Sequence, residues 1–362
     1  MKTWCLGYKC SLQNIEKVKR DLTSKISTIL GCKLAYGESD SSDSTPMLYL
    51  GSGKSVLCTL DRSSSFLAVD INASSDQAEN HQEKFESEMQ ALPWVTADAS
   101  NAYKSLPAIR RNTEVKTYDV AAGGQIIEYD FTEELFNRQS PYQNVRIMKS
   151  NQFGNCLFLD NDCNLSESDL SYTVAICGDG KVDYTGKDVL VLGGGDGGIL
   201  NYLMDKGPKM VTMVDIDQVV IDAAKIHLRG ICGESLDSLK GENYEVIVDD
   251  CIKWMKKFAE EGRMFDVIIN DLTAIPVSTS PVGDHWEFLK LILRMSMNIL
   301  KKDGVYFTQG NSALCPSSLQ MYEEQLEKLQ CPVGYTKKNV CVPSYIEMWV
   351  FYTIWKKQED ML

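Results

Sequence analysis

Residues 191–198 read VLGGGDGG: an apolar run breaks into a glycine turn with a carboxylate, Asp196, at its centre. Gly193, Gly195 and Gly198 satisfy the GxGxxG spacing, and Asp215 follows about 20 residues on, as in a dinucleotide-binding strand–turn–helix unit. Alone, that spacing is a weak signal. A turn of this kind ordinarily brings backbone N–H groups up to a phosphate. Asp196 argues against a pyrophosphate, because two like charges in close contact repel by several kcal/mol. A cationic ligand is held by the same carboxylate.

The sequence on either side extends the pattern. After Lys187, DVLVLGGGD, VTMVDID, YEVIVDDC and FDVIINDL are β-branched runs separated by segments of helical spacing, and VYFTQG and MWVFYTIW come later. Continuous apolar strands with crossover helices imply a mainly parallel sheet covered on both faces. Ligands of such sheets bind outside the carboxyl ends of the strands. The first four runs each end in an acid at that edge: Asp196, Asp215, Asp250 and Asp271. Any one of them taken alone reads better as a helix cap or a solvated turn than as a site residue. Four along one edge read as a site. Asp215 suits a ribose diol, Asp250 an adenine amino group and Asp196 a positive charge, which together describe a sulfonium nucleoside.

Upstream the chain changes character. Residues 11–30, SLQNIEKVKRDLTSKISTIL, have helical spacing; MLYL, SVLCTL and FLAVDI are short β-type runs; a second helix falls near HQEKFESEMQAL. ESDSSDSTP (38–46) reads as a polar loop, and PWVTADASNAYKSLPAIRRN (93–112), without periodicity, as a linker. From Glu114 to Leu165 the pattern is hairpin-like: VKTYDV, a turn at AAGGQ, IIEYDF, then NVRIMKS and CLFLD. The expected fold class is α/β, a Rossmann-like, methyltransferase-type, mainly parallel sheet preceded by a small β-domain and an amino-terminal α+β domain. The expected boundaries are 1–112, 113–165 and 166–362.

Charge separates the same regions. Up to Asn112 there are 13 basic and 13 acidic residues; the remainder holds 24 against 37, so it carries the whole net charge of −13. An acidic body argues against a nucleic-acid partner, since phosphate contacts need clustered Lys and Arg, and it attracts polycations. No apolar stretch approaches the ~18 residues of a membrane span. The opening MKTWCLGYKCSLQ is too broken for a secretory signal. Twelve cysteines without a CxxC pair and three histidines give neither a metal site nor a disulfide framework, so reduced thiols and a cytoplasmic location are expected.

At this point a set of motifs matches a family. VLVLGGGDGGIL, VTMVDIDQVVID, VDYTGKDV, SPYQN, NLSESDLSYT, INDLTAIPVSTSP, YFTQGN and VPSYIEMWVFYTIWKK together resemble the spermidine/spermine synthase family of aminopropyltransferases, and within it the spermine synthases of animals. The resemblance runs from about Tyr129 to Lys357. It implies an amino-terminal dimerisation domain related in fold to S-adenosylmethionine decarboxylase, a small central β-domain and a Rossmann-like catalytic domain. The implied reaction moves the aminopropyl group of decarboxylated S-adenosylmethionine, a co-substrate, to spermidine. The products are spermine and 5'-methylthioadenosine.

The resemblance also assigns residues. Gln143 would contact the nucleoside, Asp215 the ribose, and Asp250 with Cys251 the adenine. Asp196 would bind amine, and Tyr172 would line the polyamine channel. Asp271 would accept the proton, while Tyr345 and Glu347 would hold the acceptor; standing at i and i+2, they are expected on one face of a strand. The family has Glu where this chain has Asp215, so the ribose carboxylate is one methylene shorter. Asp217 projects to the same side but past the strand end. The Cys251 thiol is expected to be inert, and His285 with Trp286 to form a packed lid.

The chemistry needs these groups. A sulfonium is already activated, so neither metal nor cofactor is required. The nucleophile is the difficulty: an amine with pKa near 10.4 is only about one part in a thousand unprotonated at pH 7.4. A carboxylate beside it can take the proton and aim the lone pair, and Asp196 with Asp271 can align the reactants. The nearest rival reading is a spermidine synthase using putrescine. Such enzymes carry a DSSDP-type sequence where this chain has neutral Thr273 and Ala274. Other rivals are a methyltransferase, disfavoured because a methionine carboxylate would face Asp196 and Asp271, and a catalytically silent polyamine or nucleoside sensor. A dehydrogenase is disfavoured by the pyrophosphate argument.

Overall fold

The computed structural model describes residues 2–37, 43–73, 75–101, 104–107, 118–121 and 124–357. The chain divides into two compact units, residues 1–112 and 113–362.

In the first unit the elements are β1 (Lys2–Cys10), α1 (Ile15–Lys25, continuing as a π turn over Ile26–Leu30), β2 (Lys33–Gly37), β3 (Ser44–Gly51), β4 (Lys54–Asp61), β5 (Phe66–Ala73), α2 (Ser75–Gln90), β6 (Val95–Asp98) and β7 (Ser105–Pro107). They form one antiparallel sheet ordered β2-β3-β4-β5-β1-β6, with β7 beside the other end of β1. The opening segment is thus a strand paired on both edges. Its alternate residues Trp4, Leu6, Tyr8 and Cys10 are buried with Val18 and Leu22 of α1 and Phe85 and Met89 of α2. The segment 93–112, expected as a linker, contributes β6 and β7 to this sheet. Strands of three and four residues are too short to show a period of two, and only their pairing with β1 defines them. Residues 38–42 of the polar loop lie outside the described residues, and Ser44–Pro46 begin β3.

The second unit opens with a hairpin of β8 (Tyr118–Val120) and β9 (Ile126–Glu128). A four-stranded antiparallel meander follows: β10 (Phe131–Gln139), β11 (Asn144–Ser150), β12 (Gly154–Leu159) and β13 (Asp162–Ser166). Residues 115–117 of the expected first hairpin run lie outside the described residues. Next come α3 (Leu170–Ile176), β14 (Asp188–Gly193), α4 (Gly198–Met204), β15 (Met210–Asp215), α5 (Gln218–His227), α6 (Arg229–Cys232), β16 (Tyr244–Val248) and α7 (Cys251–Glu260). The chain finishes with β17 (Phe265–Asp271), α8 (Asp284–Ile299), β18 (Leu300–Ser312), α9 (Pro316–Glu327), β19 (Val333–Val342) and β20 (Glu347–Lys356).

The large sheet is ordered β16-β15-β14-β17-β18-β20-β19, parallel from β16 to β18 and antiparallel at β20 and β19. Both faces are buried, as the unbroken apolar runs require. Val189 and Val191 face the core shared with α4 and α5, whereas Leu190 and Leu192 face α7 and α8. Val145, Ile147, Leu157 and Leu165 of the meander join the first of these cores. From β14 the chain steps to β15 on one side and later returns to β17 on the other, so the strand order reverses between β14 and β17. That switch point opens a crevice at the carboxyl ends of the strands. Among the described residues no helix is long and apolar enough to cross a membrane.

Candidate active site

The crevice is a cleft of about 890 Å³, and the nine residues to which the resemblance gives a role at the nucleoside or amine line it: Gln143, Tyr172, Asp196, Asp215, Asp250, Cys251, Asp271, Tyr345 and Glu347. The glycine turn makes it possible. Gly193 pairs in register with Asp271 and has φ 82°; a Cβ there would stand 2.3 Å from the Asp271 carbonyl oxygen. A Cβ on Gly195 would stand 2.8 Å from the Asp215 carboxylate. The two glycines therefore let Asp215 and Asp271 come up to the turn that carries Asp196.

The carboxylates differ in what already holds them. Asp215 accepts the N–H of Gly195 (2.9 Å) and of Asp217 (2.8 Å). Asp250 caps α7 by accepting the Ile252 N–H at 2.8 Å, and Asp196 accepts the Gly198 N–H at 2.8 Å. Asp271, at the end of β17, receives the Tyr172 hydroxyl on Oδ1 at 2.6 Å. One oxygen of Glu347, Oε2, is buried and has no hydrogen-bond partner among the described residues.

Enclosure sets the protonation of this group. Burial, reinforced by the charge of Asp196, pushes the Asp271 carboxyl well above its ordinary range despite the Tyr172 hydrogen bond. Burial likewise raises Asp196. It raises Asp215 from 3.8 to about 6, with smaller contributions from the charges of Asp196 and Asp217. Burial and the Asp271 charge raise Tyr172, which keeps its proton and acts as a donor. Three carboxylates whose charged forms are held back by burial, and at Asp215 and Asp271 also by neighbouring negative charge, make a site that gains by admitting a cation.

Several expectations change in detail. Tyr345 and Glu347 do not share a strand. Tyr345 ends a 3-10 turn, Pro343–Tyr345, Ile346 takes a left-handed conformation (φ 56°), and Glu347 begins β20. The left-handed residue turns the chain so that both still reach the cleft. Gln143, while lining the cleft, donates from Nε2 to Asp217 Oδ2 at 3.0 Å. Asp217 is buried: it caps α5 through the Val219 N–H (3.0 Å) and accepts the Ser140 hydroxyl (2.7 Å). These bonds tie it to the protein, leaving Asp215 as the carboxylate at this strand end that lines the cleft. The Cys251 thiol is pushed up to about 12 by burial and the charge of Asp250, and is unreactive as a thiolate. Trp286 is buried and donates to Ser278 Oγ at 2.8 Å, whereas His285 is exposed on the cleft wall.

Trp349 is a wall residue that sequence reasoning missed. It packs on Tyr345 (ring centroids 4.9 Å) and donates to Gln309 Oε1 at 3.2 Å. The signal was available, since it stands two residues after Glu347 on the same face of β20. The Tyr345 ring in turn meets that of Tyr172 at 6.2 Å, and its hydroxyl donates to the Asn164 carbonyl oxygen.

The sheet order, the glycine turn and the acid edge define a Rossmann-like, methyltransferase-type α/β enzyme core. The model of the spermine/spermidine synthase domain matches residues 170–361, and that of the spermidine synthase tetramerisation domain matches 114–167. The chain belongs to the spermine/spermidine synthase family. A polyamine aminopropyltransferase of Pyrobaculum arsenaticum is 33% identical over 220 residues, 59% of this chain and 72% of the relative. One of Bacillus subtilis is 31% identical over 236 residues, 63% of this chain and 79% of the relative. Among solved structures, the spermidine synthase of Thermotoga maritima matches with a TM-score of 0.54 at 20% identity, over 70% of this chain and 83% of that one. A spermidine synthase in complex with the transition-state analogue AdoDATO gives 0.55 at 20% identity, over 70% and 84%. These two share the fold. The chain is an enzyme of the polyamine aminopropyltransferase type.

Proposed function

We propose that this aminopropyltransferase is a spermine synthase: it transfers the aminopropyl group of decarboxylated S-adenosylmethionine to spermidine, releasing spermine and 5'-methylthioadenosine. The observation that carries the reading is Glu347 Oε2, buried in the cleft wall without a donor among the described residues. A buried carboxylate oxygen without a donor is costly unless a ligand supplies one, and a distal ammonium of a long amine does so. The neutral Thr273 and Ala274, which also line the cleft, support the same reading, because the stretch after Asp271 offers a short diamine no second acid.

In this scheme Asp215 holds the ribose, Asp250 and the Cys251 N–H hold adenine, and Gln143 borders the nucleoside. Asp196 neutralises the aminopropyl ammonium. Tyr345 and Glu347 take the far end of spermidine. Tyr172 fixes one oxygen of Asp271, leaving the other to accept a proton from the attacking amine. The nitrogen lone pair forms a bond to the methylene carbon next to sulfur, and the carbon–sulfur bond breaks with its electrons on sulfur. The sulfonium leaves as a neutral thioether, so no metal or cofactor enters the scheme.

The assembly is a homo-oligomer, with residues 1–112 forming a dimer; the match of residues 114–167 to a tetramerisation domain supports oligomerisation in general terms. All twelve cysteines are free thiols, which supports a reducing, cytoplasmic location. The acidic surface supports amine ligands over nucleic acid. Incubation with decarboxylated S-adenosylmethionine and either spermidine or putrescine, with chromatographic analysis of the amine product, tests the assignment. Spermine from spermidine is expected, and a preference for putrescine would replace the reading with spermidine synthase.

A further inference from the structure

Asp169 has no part in the chemistry above. It directly precedes α3, is 1% exposed, and its carboxylate is met by four donors. Oδ2 accepts the Ser166 N–H (2.6 Å) and the Ser344 hydroxyl (2.5 Å), while Oδ1 accepts the Ser344 N–H (2.9 Å) and, at 3.5 Å, the Ser168 hydroxyl. Each segment joined in this way delivers a cleft residue. β13 ends at Ser166 and supplies the Asn164 carbonyl that holds the Tyr345 hydroxyl. α3 supplies Tyr172. The turn containing Ser344 supplies Tyr345 and, past Ile346, Glu347.

The Ser344 turn is also held from its other side, where the Tyr129 hydroxyl donates to the Ser344 carbonyl oxygen at 2.7 Å. Ser344 is thus fixed at its nitrogen, hydroxyl and carbonyl. The next residue but one, Ile346, is β-branched yet sits at φ 56°, ψ 26°. Such a conformation persists only where neighbours enforce it. A buried carboxyl is costly unless donors meet its oxygens, so the segments that carry those donors are held at a fixed spacing.

We infer that Asp169 is a positioning residue for acceptor recognition: by clamping Ser344 to β13 and to the start of α3, it sets Tyr345 and Glu347 opposite Tyr172 and Asp271. The inference rests on the reading of Tyr345 and Glu347 as the acceptor grip. Recognition of a linear amine by separate charged groups depends on their spacing, so a small shift of the turn is felt as lost affinity.

Asp169→Asn keeps the volume but turns an amide N–H toward a backbone N–H, and Ser344→Ala removes one donor only. Calorimetric titration of spermidine into protein saturated with methylthioadenosine, beside steady-state kinetics, reads the effect. For Asp169→Asn the spermidine Kd and KM should rise about tenfold or more, with kcat and the methylthioadenosine Kd within about threefold. Ser344→Ala should give a smaller rise of about three- to tenfold. Adding Glu347→Gln to Asp169→Asn should weaken spermidine by less than the product of the two single effects, because both act through one carboxylate. An unchanged spermidine Kd, multiplicative effects, or equal weakening of spermidine and methylthioadenosine would overturn the inference; the last marks general loosening. If Asp169→Asn does not fold, Ser344→Ala decides by the same criteria. Unmodified protein that fails to bind spermidine removes the acceptor reading itself. Unmodified protein that binds it, with variants unaffected, leaves that reading intact and removes Asp169 alone.

Discussion

On the proposed nucleoside side of the cleft, Asp215 accepts two backbone N–H groups and Asp250 accepts one. On the proposed acceptor side, Glu347 Oε2 meets no donor among the described residues, and Asp271 is held by a phenol. The carboxylates of the first region are therefore fixed by the backbone whether or not a ligand is present. Those of the second are left for a cation to satisfy. The difference teaches that a nucleoside meets a preformed surface, while the amine supplies charge the protein withholds. Lesions on the two sides should separate in their kinetic signatures.

The largest effect is expected at Asp271. Asp271→Asn removes the proton acceptor, and turnover should fall by about 10²- to 10⁴-fold. Methylthioadenosine affinity should stay within about threefold, as calorimetry beside a turnover assay would read. Full turnover would break the assignment.

Glu347→Gln comes next. Losing one charge-assisted contact costs about 1.5 to 3 kcal/mol, so KM for spermidine should rise roughly ten- to a hundredfold. Any residual reaction with putrescine should be nearly unchanged, since a diamine reaching Asp271 leaves Glu347 unpaired. Equal losses with both acceptors would show that Glu347 does not read length.

A thermal test sharpens the contrast without turnover. A carboxyl whose pKa is raised by folding contributes stability that is full below its unfolded value and is lost as pH rises through the folded value. Asp215 follows this rule between 3.8 and about 6, and Asp271 and Asp196 move in the same direction. Ligand-free Asp271→Asn should therefore melt close to the parent below pH 4 and progressively above it as pH rises. Melting curves across that range that stay parallel would contradict the enclosure argument.

The smallest effect is expected from Asp215→Glu. Asp215 is drawn back against Gly195 and Asp217, so an added methylene carries the carboxylate toward a bound diol. Methylthioadenosine should bind about two- to fivefold tighter, less than 1 kcal/mol. Weakening by tenfold would show that the backbone bonds to Asp215 matter more than its reach.

What could be read from the sequence follows the same division. The strand-end acids were legible because a parallel sheet converts strand order into a single edge, and the glycine turn marks its switch point. Tyr345 and Glu347 are assigned by the family resemblance, and both line the cleft; the one strand that their spacing predicts is absent, because the chain uses a left-handed Ile346 that no side-chain pattern announces. Trp349 follows from alternation along β20 once Glu347 is placed. Asp169 and Asp217 look like ordinary caps in sequence, and only long-range partners such as Ser344 and Gln143 distinguish them. In the first unit the short strands β6 and β7 carry no periodic signal. β1 shows alternation that is recognisable once its partners are known.

The most direct test of the acceptor reading is the ratio of kcat/KM for spermidine to that for putrescine, measured on the unmodified enzyme with decarboxylated S-adenosylmethionine saturating. A carboxylate reserved for the far end of a triamine predicts a ratio of about ten to a hundred or more in favour of spermidine. Comparable constants, or a preference for putrescine, would contradict it.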